Sequence, residues 1–321
     1  MLKYLIIHLD NTSVSFCHYI NPKTERKLID LKTLKEALLW SMKENLMVQI
    51  VYPDYEIPRE YKDLIDTVEH ADVVSSKNPD TILRENADVV IFHSPLNLAG
   101  YDFIPEQAYV LRTSLRDLFE HYRFIGESIP HVNKLNVVVT DIENFQKENH
   151  VMYETILEHF IQIVQEEYRR DHSVLFNLLT DRIFLFDKMN NCNAGDEHVT
   201  LAPDGKFYVC PAFYLDKEDS YNIGNVKGGL EIKNPQLYKL SHAPICRTCD
   251  AYQCKRCVWL NRKFTLEVNT PSHEQCVMAH LERNASRTLL KDLYKLGTFR
   301  VGTEIKEIDY LDPFDKLTEK Y

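Results

Sequence analysis

The chain has 321 residues, of which 44% are hydrophobic and 27% charged, and a formal net charge of −10. This composition is that of a globular protein with room for two ordinary cores, and it excludes a disordered chain. The acidic balance argues against nucleic acid, which demands a basic face, and no apolar run reaches the ~18 residues of a membrane span.

The amino terminus carries a short apolar run, Tyr4–His8, closed by Asp10. It lacks the long apolar stretch and small-residue cleavage site of a signal peptide. The expected location is the cytoplasm, where disulfides are disfavoured and clustered cysteines more often hold metal.

Residues 2–9 predict a buried strand, followed by a polar turn at Asp10-Asn11-Thr12 and a second apolar piece over 14–20. Apolar residues at 31, 34, 38, 42 and 46 recur at helical spacing. That helix starts either on a Thr33/Glu36 capping box or on Asp30. A strand over 47–52 ends at Pro53, and a helix near 58–69 precedes a strand near 72–75. A strand over 88–93 leads into a loop at 95–100, and 108–112 predicts another strand. Ser114 and Asp117 are placed to cap a helix over 114–123, and 135–140 is a strand. Strands separated by helices predict an α/β fold with a parallel sheet, open or partly closed into a barrel.

A helix over 150–170 follows, with Val151, Ile156, Phe160, Ile161, Val164 and Tyr168 on its apolar face and Glu154, Glu158, Glu166 and Glu167 largely outside it. The next stretch, 173–186, reads as strand-rich. There is no glycine before Gly100, hence no glycine-rich phosphate loop in that region. The first half also has no G-x-S-x-G elbow, H-E-x-x-H helix or EF-hand loop. His8, His18, His70 and His93 are scattered and read as structural.

Seven of the eight cysteines fall in the last part of the chain: Cys192, Cys210, Cys246, Cys249, Cys254, Cys257 and Cys276, with Cys17 alone outside. A hairpin is predicted from strands 199–201 and 206–209 around Pro203-Asp204-Gly205, with Cys210 at its end. Residues 221–226 form a further strand or turn. Two Cys-x2-Cys pairs then stand four residues apart, and such tight turns aim two thiolates at one centre. One reading is a structural zinc on Cys246, Cys249, Cys254 and Cys257. The separation is short beside the ~15–20 residues of a zinc ribbon, and zinc leaves Cys192, Cys210 and Cys276 unexplained. Seven thiolates suit two iron–sulfur clusters better. Arg247, Lys255 and Arg256 would offset cluster charge, although they equally suit a solvated face. A helix over 278–296 carries Leu281, Ala285, Leu289, Leu293 and Leu296 on one side and ends at Gly297. A strand over 299–306 and a terminus without chemistry complete the chain.

The runs CNAGDEHVTLAPDGKFYVCPAF, YNIGNV, CRTCDAYQCKRC and NTPSHEQCVMAH resemble the SPASM domain, the auxiliary-cluster module of many radical SAM peptide maturases. All seven cysteines have a counterpart in its signature. Within the central group the intervening runs, four and two residues long, are each one shorter than is usual in that family, which bears on how ligands are shared. The resemblance implies one [4Fe–4S] cluster on Cys246, Cys249, Cys254 and Cys276 and another on Cys192, Cys210 and Cys257. The fourth position of the latter would be open, even to a substrate sulfur, or filled by Asp187, Asp196, His198 or Cys17.

A radical SAM enzyme carries Cys-x3-Cys-x2-Cys after its first strand. The corresponding loop here is LDNTSVSFCHYI, with Ser13, Cys17 and Ile20 at that spacing. Serine and isoleucine do not replace thiolates, and Val51-Tyr52-Pro53-Asp54 stands where the family has a Gly-Gly-Glu turn. Cys17 itself reads as a small buried residue. The whole chain is similar to the CXXX repeat peptide maturase family, through LDNTSVSFCHYIN near the start and TPSHEQCVMAHLERNASRTLL near the end. The resemblance implies a degenerate radical SAM-like α/β domain over 1–190, a SPASM-like iron–sulfur domain over 191–283, and a helix and tail over 284–321. It implies a role in maturing a cysteine-containing (CXXX repeat) ribosomal peptide, by binding the precursor or relaying electrons for a partner radical SAM enzyme. It does not imply cleavage of S-adenosylmethionine by this chain. The alternatives are a zinc-stabilised, non-catalytic peptide-recognition module and a stand-alone maturase with unusual chemistry.

Overall fold

A computed structural model describes residues 2–216, 221–297 and 304–318. In chain order its first elements are β1 (Tyr4–His8), α1 (Leu31–Lys43), β2 (Met47–Val51), α2 (Arg59–Ile65), β3 (His70–Ser75), α3 (Thr81–Asn86) and β4 (Val89–Phe92). Next come β5 (Ala108–Thr113), α4 (Leu115–Ser128), β6 (Lys134–Val139), α5 (His150–Arg169), β7 (Leu175–Phe176) and α6 (Asp181–Phe184). The remainder is β8 (His198–Leu201), β9 (Lys206–Tyr208), α7 (Pro211–Leu215), β10 (Asn222–Asn225), β11 (Gly229–Leu230), α8 (Val258–Thr265), α9 (His273–Lys295) and α10 (Pro313–Thr318). This is the expected mixed α/β fold with parallel strands, and its carboxy-terminal region is cysteine-rich. Two compact units share it, one from 1–91 with 193–242, the other from 92–192 with 243–321. Compactness defines these units and motifs defined the three segments above, and the two partitions differ.

In the first unit β1 lies between β2 and β8 and runs parallel to both, with Leu5 opposite Val48 and Val199. Both faces of β1 are covered, so Leu5, Ile6 and Ile7 form a continuous buried run without alternation. The sheet continues in parallel through β2, β3 and β4. On its other side β8, β9, β10 and β11 pair antiparallel in turn, and the predicted hairpin places Leu201 opposite Phe207. Gly224 has φ +122, and a Cβ there would lie 2.0 Å from the Gly229 carbonyl oxygen, so only glycine fits. Asp30 caps α1, its carboxylate accepting from the Thr33 amide at 3.0 Å; of the two expected starts, Asp30 is the cap. No residue of α3 is buried, so no apolar stripe announced this helix, although Asp80 caps it through the Leu83 amide at 3.0 Å.

In the second unit β5, β6 and β7 run parallel, with Leu111 opposite Val137 and Leu135 opposite Phe176. Ser114 caps α4, accepting from the Asp117 amide at 3.0 Å. The expected face of α5 needs two corrections. Val151 is 74% exposed and Glu167 is 4% exposed. Helical periodicity accounts for both: Glu167 lies two turns after Phe160 and shares its face, whereas Val151 is turned away from Ile156. Glu167 meets its charge in Arg170 at 3.2 Å, and its other oxygen lies 2.8 Å from His172 Nδ1. The strand-rich reading of 173–186 is corrected too, since only Leu175–Phe176 pairs and Asp181–Phe184 is helical. Thr180 Oγ1 accepts from the Phe176 amide at 2.6 Å and turns the chain, while Val174, Leu178, Leu179 and Ile183 are buried; apolarity marked burial there, not strand. Ser272 starts α9 five residues before 278 by accepting from the Gln275 amide at 3.3 Å. The strand expected over 299–306 lies mostly outside the described residues. Among the described residues no helix is long and apolar enough to cross a membrane.

Candidate metal centre

Four thiols of the second unit converge. Cys246 opens a single helical turn, and the Cys249 amide donates to its carbonyl at 3.2 Å, which closes the first Cys-x2-Cys pair. Cys254 follows a turn in which its amide donates to Ala251 O at 3.0 Å. Cys276 rides the first turn of α9. Cys246 is buried and the other three are half-buried. Burial raises all four thiols above the ordinary range, taking Cys246 up to about 12, and mutual repulsion adds to it. Cys249 acts on Cys246, both act on Cys254, and all three act on Cys276. Such a group holds its protons until a cation or cluster binds the sulfurs and displaces them to solvent.

The opposing charge comes from three buried arginines. Arg256 and Arg283 are 0% exposed and Arg182 is 4% exposed. Arg256 favours the Cys246 thiolate, and Arg283 and Arg182 favour that of Cys249. Arg256 was expected from the sequence. Arg247 is exposed and Lys255 half-buried, while Arg182 and Arg283 come from elements distant in sequence. A neutral donor adds to this field: the Ala251 amide donates to Cys249 Sγ at 3.4 Å, and His280 Nε2 lies 3.3 Å from the same sulfur. Burial lowers the His280 pKa and so favours the neutral imidazole.

The same arginines shape the loop between Cys249 and Cys254. Arg283 forks onto Asp250, with Nε 3.0 Å from both carboxylate oxygens and Nη2 2.5 Å from Oδ2. It also donates to the Lys306 carbonyl. Arg182 Nε donates to the Asp250 carbonyl at 2.8 Å, and its guanidinium stacks 3.9 Å over Tyr252. Gln253 Nε2 reaches the Ala279 carbonyl of α9 at 2.6 Å. An arginine on the buried face of a helix was the one signal in the sequence that could have pointed to Arg283.

Glu282 sits behind Cys254. Burial raises its carboxyl to about 7, against hydrogen bonds from Tyr153 and Gln253 that favour the ionised form. A folded pKa above the unfolded value means the folded state holds the extra proton. Its contribution is therefore full below pH ~4.5 and is lost as pH rises to ~7. Glu282→Gln should flatten the pH dependence of denaturant-induced unfolding across this window by up to ~3 kcal/mol. An unchanged slope would show that Glu282 ionises normally.

The other expected ligands are placed separately. Cys192 and Cys257 belong to the second unit, where the Cys192 amide donates to Lys255 O at 2.8 Å and Arg256 Nε donates to Asn191 Oδ1 at 2.7 Å. The segment at Cys192 thus lies beside 255–256, and Cys257 immediately precedes α8. Cys210 belongs to the first unit, between β9 and α7. Of the suggested fourth ligands, Asp187 is exposed in the second unit, while Cys17, Asp196 and His198 are half-buried in the first. All eight cysteines are thiols, not disulfides. Among the described residues no three cysteine sulfurs lie within 4.8 Å of one another. Tetrahedral zinc, with Zn–S near 2.3 Å, needs sulfurs about 3.8 Å apart, whereas a cluster interposes its own iron and sulfide.

The loop after β1 is built for structure. Ser13 is 0% exposed; its hydroxyl donates to Val51 O at 2.8 Å and accepts from the Asp10 amide at 3.0 Å. Asn21 Nδ2 spans the loop to the carbonyls of Asn11 and Ser13 at 2.7 and 3.1 Å. Ile20 is 66% exposed. Of the scattered histidines, burial takes His8 down to about 3 beside Tyr19, and His70 pairs with Asp72 at 3.3 Å. His93 lies 3.1 Å from Arg112 Nη1.

No protein-family model and no curated protein matches the chain in sequence. Solved structures do share its fold. A hexahistidine-tagged anSMEcpe with bound AdoMet matches with a TM-score of 0.60 at 14% identity, over 97% of both chains. Native anSMEcpe with bound AdoMet and the Kp18Cys peptide matches with a TM-score of 0.59 at 12% identity, over 92% of this chain and 99% of that one. Native anSMEcpe with bound AdoMet gives 0.57 at 13% identity, over 91% and 99%.

Proposed function

We propose that this is a cytoplasmic iron–sulfur protein acting in the maturation of a cysteine-containing ribosomal peptide of the CXXX repeat type. It would bind the precursor or relay electrons for a partner radical SAM enzyme. The observation that carries this reading is the group of four mutually interacting thiols, Cys246, Cys249, Cys254 and Cys276, opposed by three buried arginines. These four would hold one [4Fe–4S] cluster, and Cys192, Cys210 and Cys257 the other, with its fourth position open or held by a non-cysteine ligand. Bound clusters would supply one-electron transfer and, at an iron lacking a cysteine, a place for a substrate thiolate. The chain's own part is to orient the thiolates, offset their charge through Arg182, Arg256 and Arg283, and fix the 249–254 loop. The fold shared with anSMEcpe, whose structures carry AdoMet and peptides, supports a peptide as the substrate class.

The hydroxyl of Ser13, committed to β2, argues that this chain does not generate radicals from S-adenosylmethionine itself. Incubation of anaerobically purified protein with S-adenosylmethionine and a strong reductant should release no 5′-deoxyadenosine above background. Its release would defeat this part of the proposal and favour a stand-alone maturase. Four to eight irons per chain with matching acid-labile sulfide are expected; zinc without sulfide would leave only the recognition-module reading. A cysteine-containing precursor should perturb the spectrum of one cluster and not the other.

A further inference from the structure

We propose that His273, Asp312 and Asp315 form a cysteine-free site in the second unit for a borderline divalent cation such as Zn2+. One ligand atom from each residue lies within 4.8 Å of the other two. The three residues line a cavity of about 600 Å³ whose wall also includes Phe145, Lys147 and Tyr310. Asp312 is 2% exposed, and its Oδ2 lies directly against His273 Nδ1. A buried carboxylate is costly unless its charge is met, and a cation bound by the imidazole and both carboxylates would meet it.

The ligands are also held in place. Oδ1 of Asp312 accepts from the Phe314 amide at 2.8 Å, and the Asp315 amide donates to the Asp312 carbonyl at 3.2 Å. These bonds set the two carboxylates on one turn at the start of α10. The His273 ring stacks on Phe314 with centroids 5.7 Å apart and planes 11° from parallel, which fixes where its nitrogen points. One imidazole with two carboxylates suits Zn2+ and its first-row neighbours, and the imidazole speaks against Mg2+ or Ca2+. Three protein ligands on the wall of an open cavity leave a coordination position for water or a ligand carboxylate. Loading this site would tie the tail to the first turn of α9. Tyr310 of that tail meets His280 edge-on at 5.6 Å, so the tie would also hold cover over the Cys249 side of the thiol pocket.

Co2+ titration of the full chain, purified anaerobically with its iron retained, tests the proposal. One equivalent should bind with ligand-field bands and without the intense thiolate-to-cobalt charge-transfer band that a cysteine site would give. Asp315→Asn and His273→Gln, both at exposed positions, should each weaken this binding at least ~10-fold; Asp312→Asn should do the same, its folding checked by circular dichroism. The proposal is overturned if cobalt binds only with the charge-transfer band. It is equally overturned if no equivalent binds, which would leave His273–Asp312 an ordinary ion pair, or if Asp315→Asn and His273→Gln leave the affinity unchanged.

Discussion

Cys254→Ser should remove about four irons and their sulfide per chain, measured on anaerobically purified protein, whereas Cys17→Ser should remove none. Cys254 interacts with Cys246, Cys249 and Cys276, so its loss breaks a four-thiolate set and not an isolated ligand. An alkoxide is far harder to form than a thiolate at neutral pH, and burial at this position makes any ionisation harder still. Arg256, buried beside the thiols, would then lack its full counter-charge, and the chain should unfold at lower denaturant concentration as well. Cys192→Ser should spare these irons and deplete the other set. Equal iron in wild type and Cys254→Ser would show that the four thiols are not a ligand set, whatever their proximity.

Arg283→Met should destabilise the folded chain by about 3–5 kcal/mol in denaturant titration. Arg283 is fully buried, and its fork is the charge-assisted partner of Asp250, whose side chain is 28% exposed. Removal leaves a poorly hydrated carboxylate facing the thiols, and it deletes the anchor that positions the loop between Cys249 and Cys254. The partial exposure of Asp250 places the effect toward the lower end of that range. Adding Asp250→Asn to Arg283→Met should recover part of the loss, because the orphaned charge goes with it. A loss below about 1 kcal/mol would mean that the fork is incidental to the loop.

Much of the fold was readable from local pattern. The β1 run, the α1 spacing, the Ser114 cap and the Pro203-Asp204-Gly205 turn each carry their cause in a few neighbouring residues. The errors have local causes too. Residues 173–186 are apolar because they are buried, and an apolar run without periodicity does not say strand. Glu167 was set outside its helix on its charge, although its position two turns from Phe160 places it inside. Helix α3 has no buried face and gave no signal.

For the candidate metal centre, spacing alone was enough to mark the cysteines as candidate ligands, because Cys-x2-Cys geometry is set by the turn it occupies. Spacing alone did not say which thiols meet; the resemblance named Cys246, Cys249, Cys254 and Cys276, and the folded chain brings these four into mutual interaction. Cys276 lies far along the sequence from Cys246 and joins it because α9 starts at Ser272 and delivers its first turn to the pocket. The counter-charge was likewise hidden: Arg182 and Arg283 arrive from α6 and α9, and no local pattern links them to Asp250. Similarly, Ser13 is readable from the sequence as a missing ligand, but its hydroxyl's engagement with Val51 arises because β1 and β2 end side by side. Short-range spacing determines what a turn can hold; long-range packing determines which charges and thiols share one dry volume.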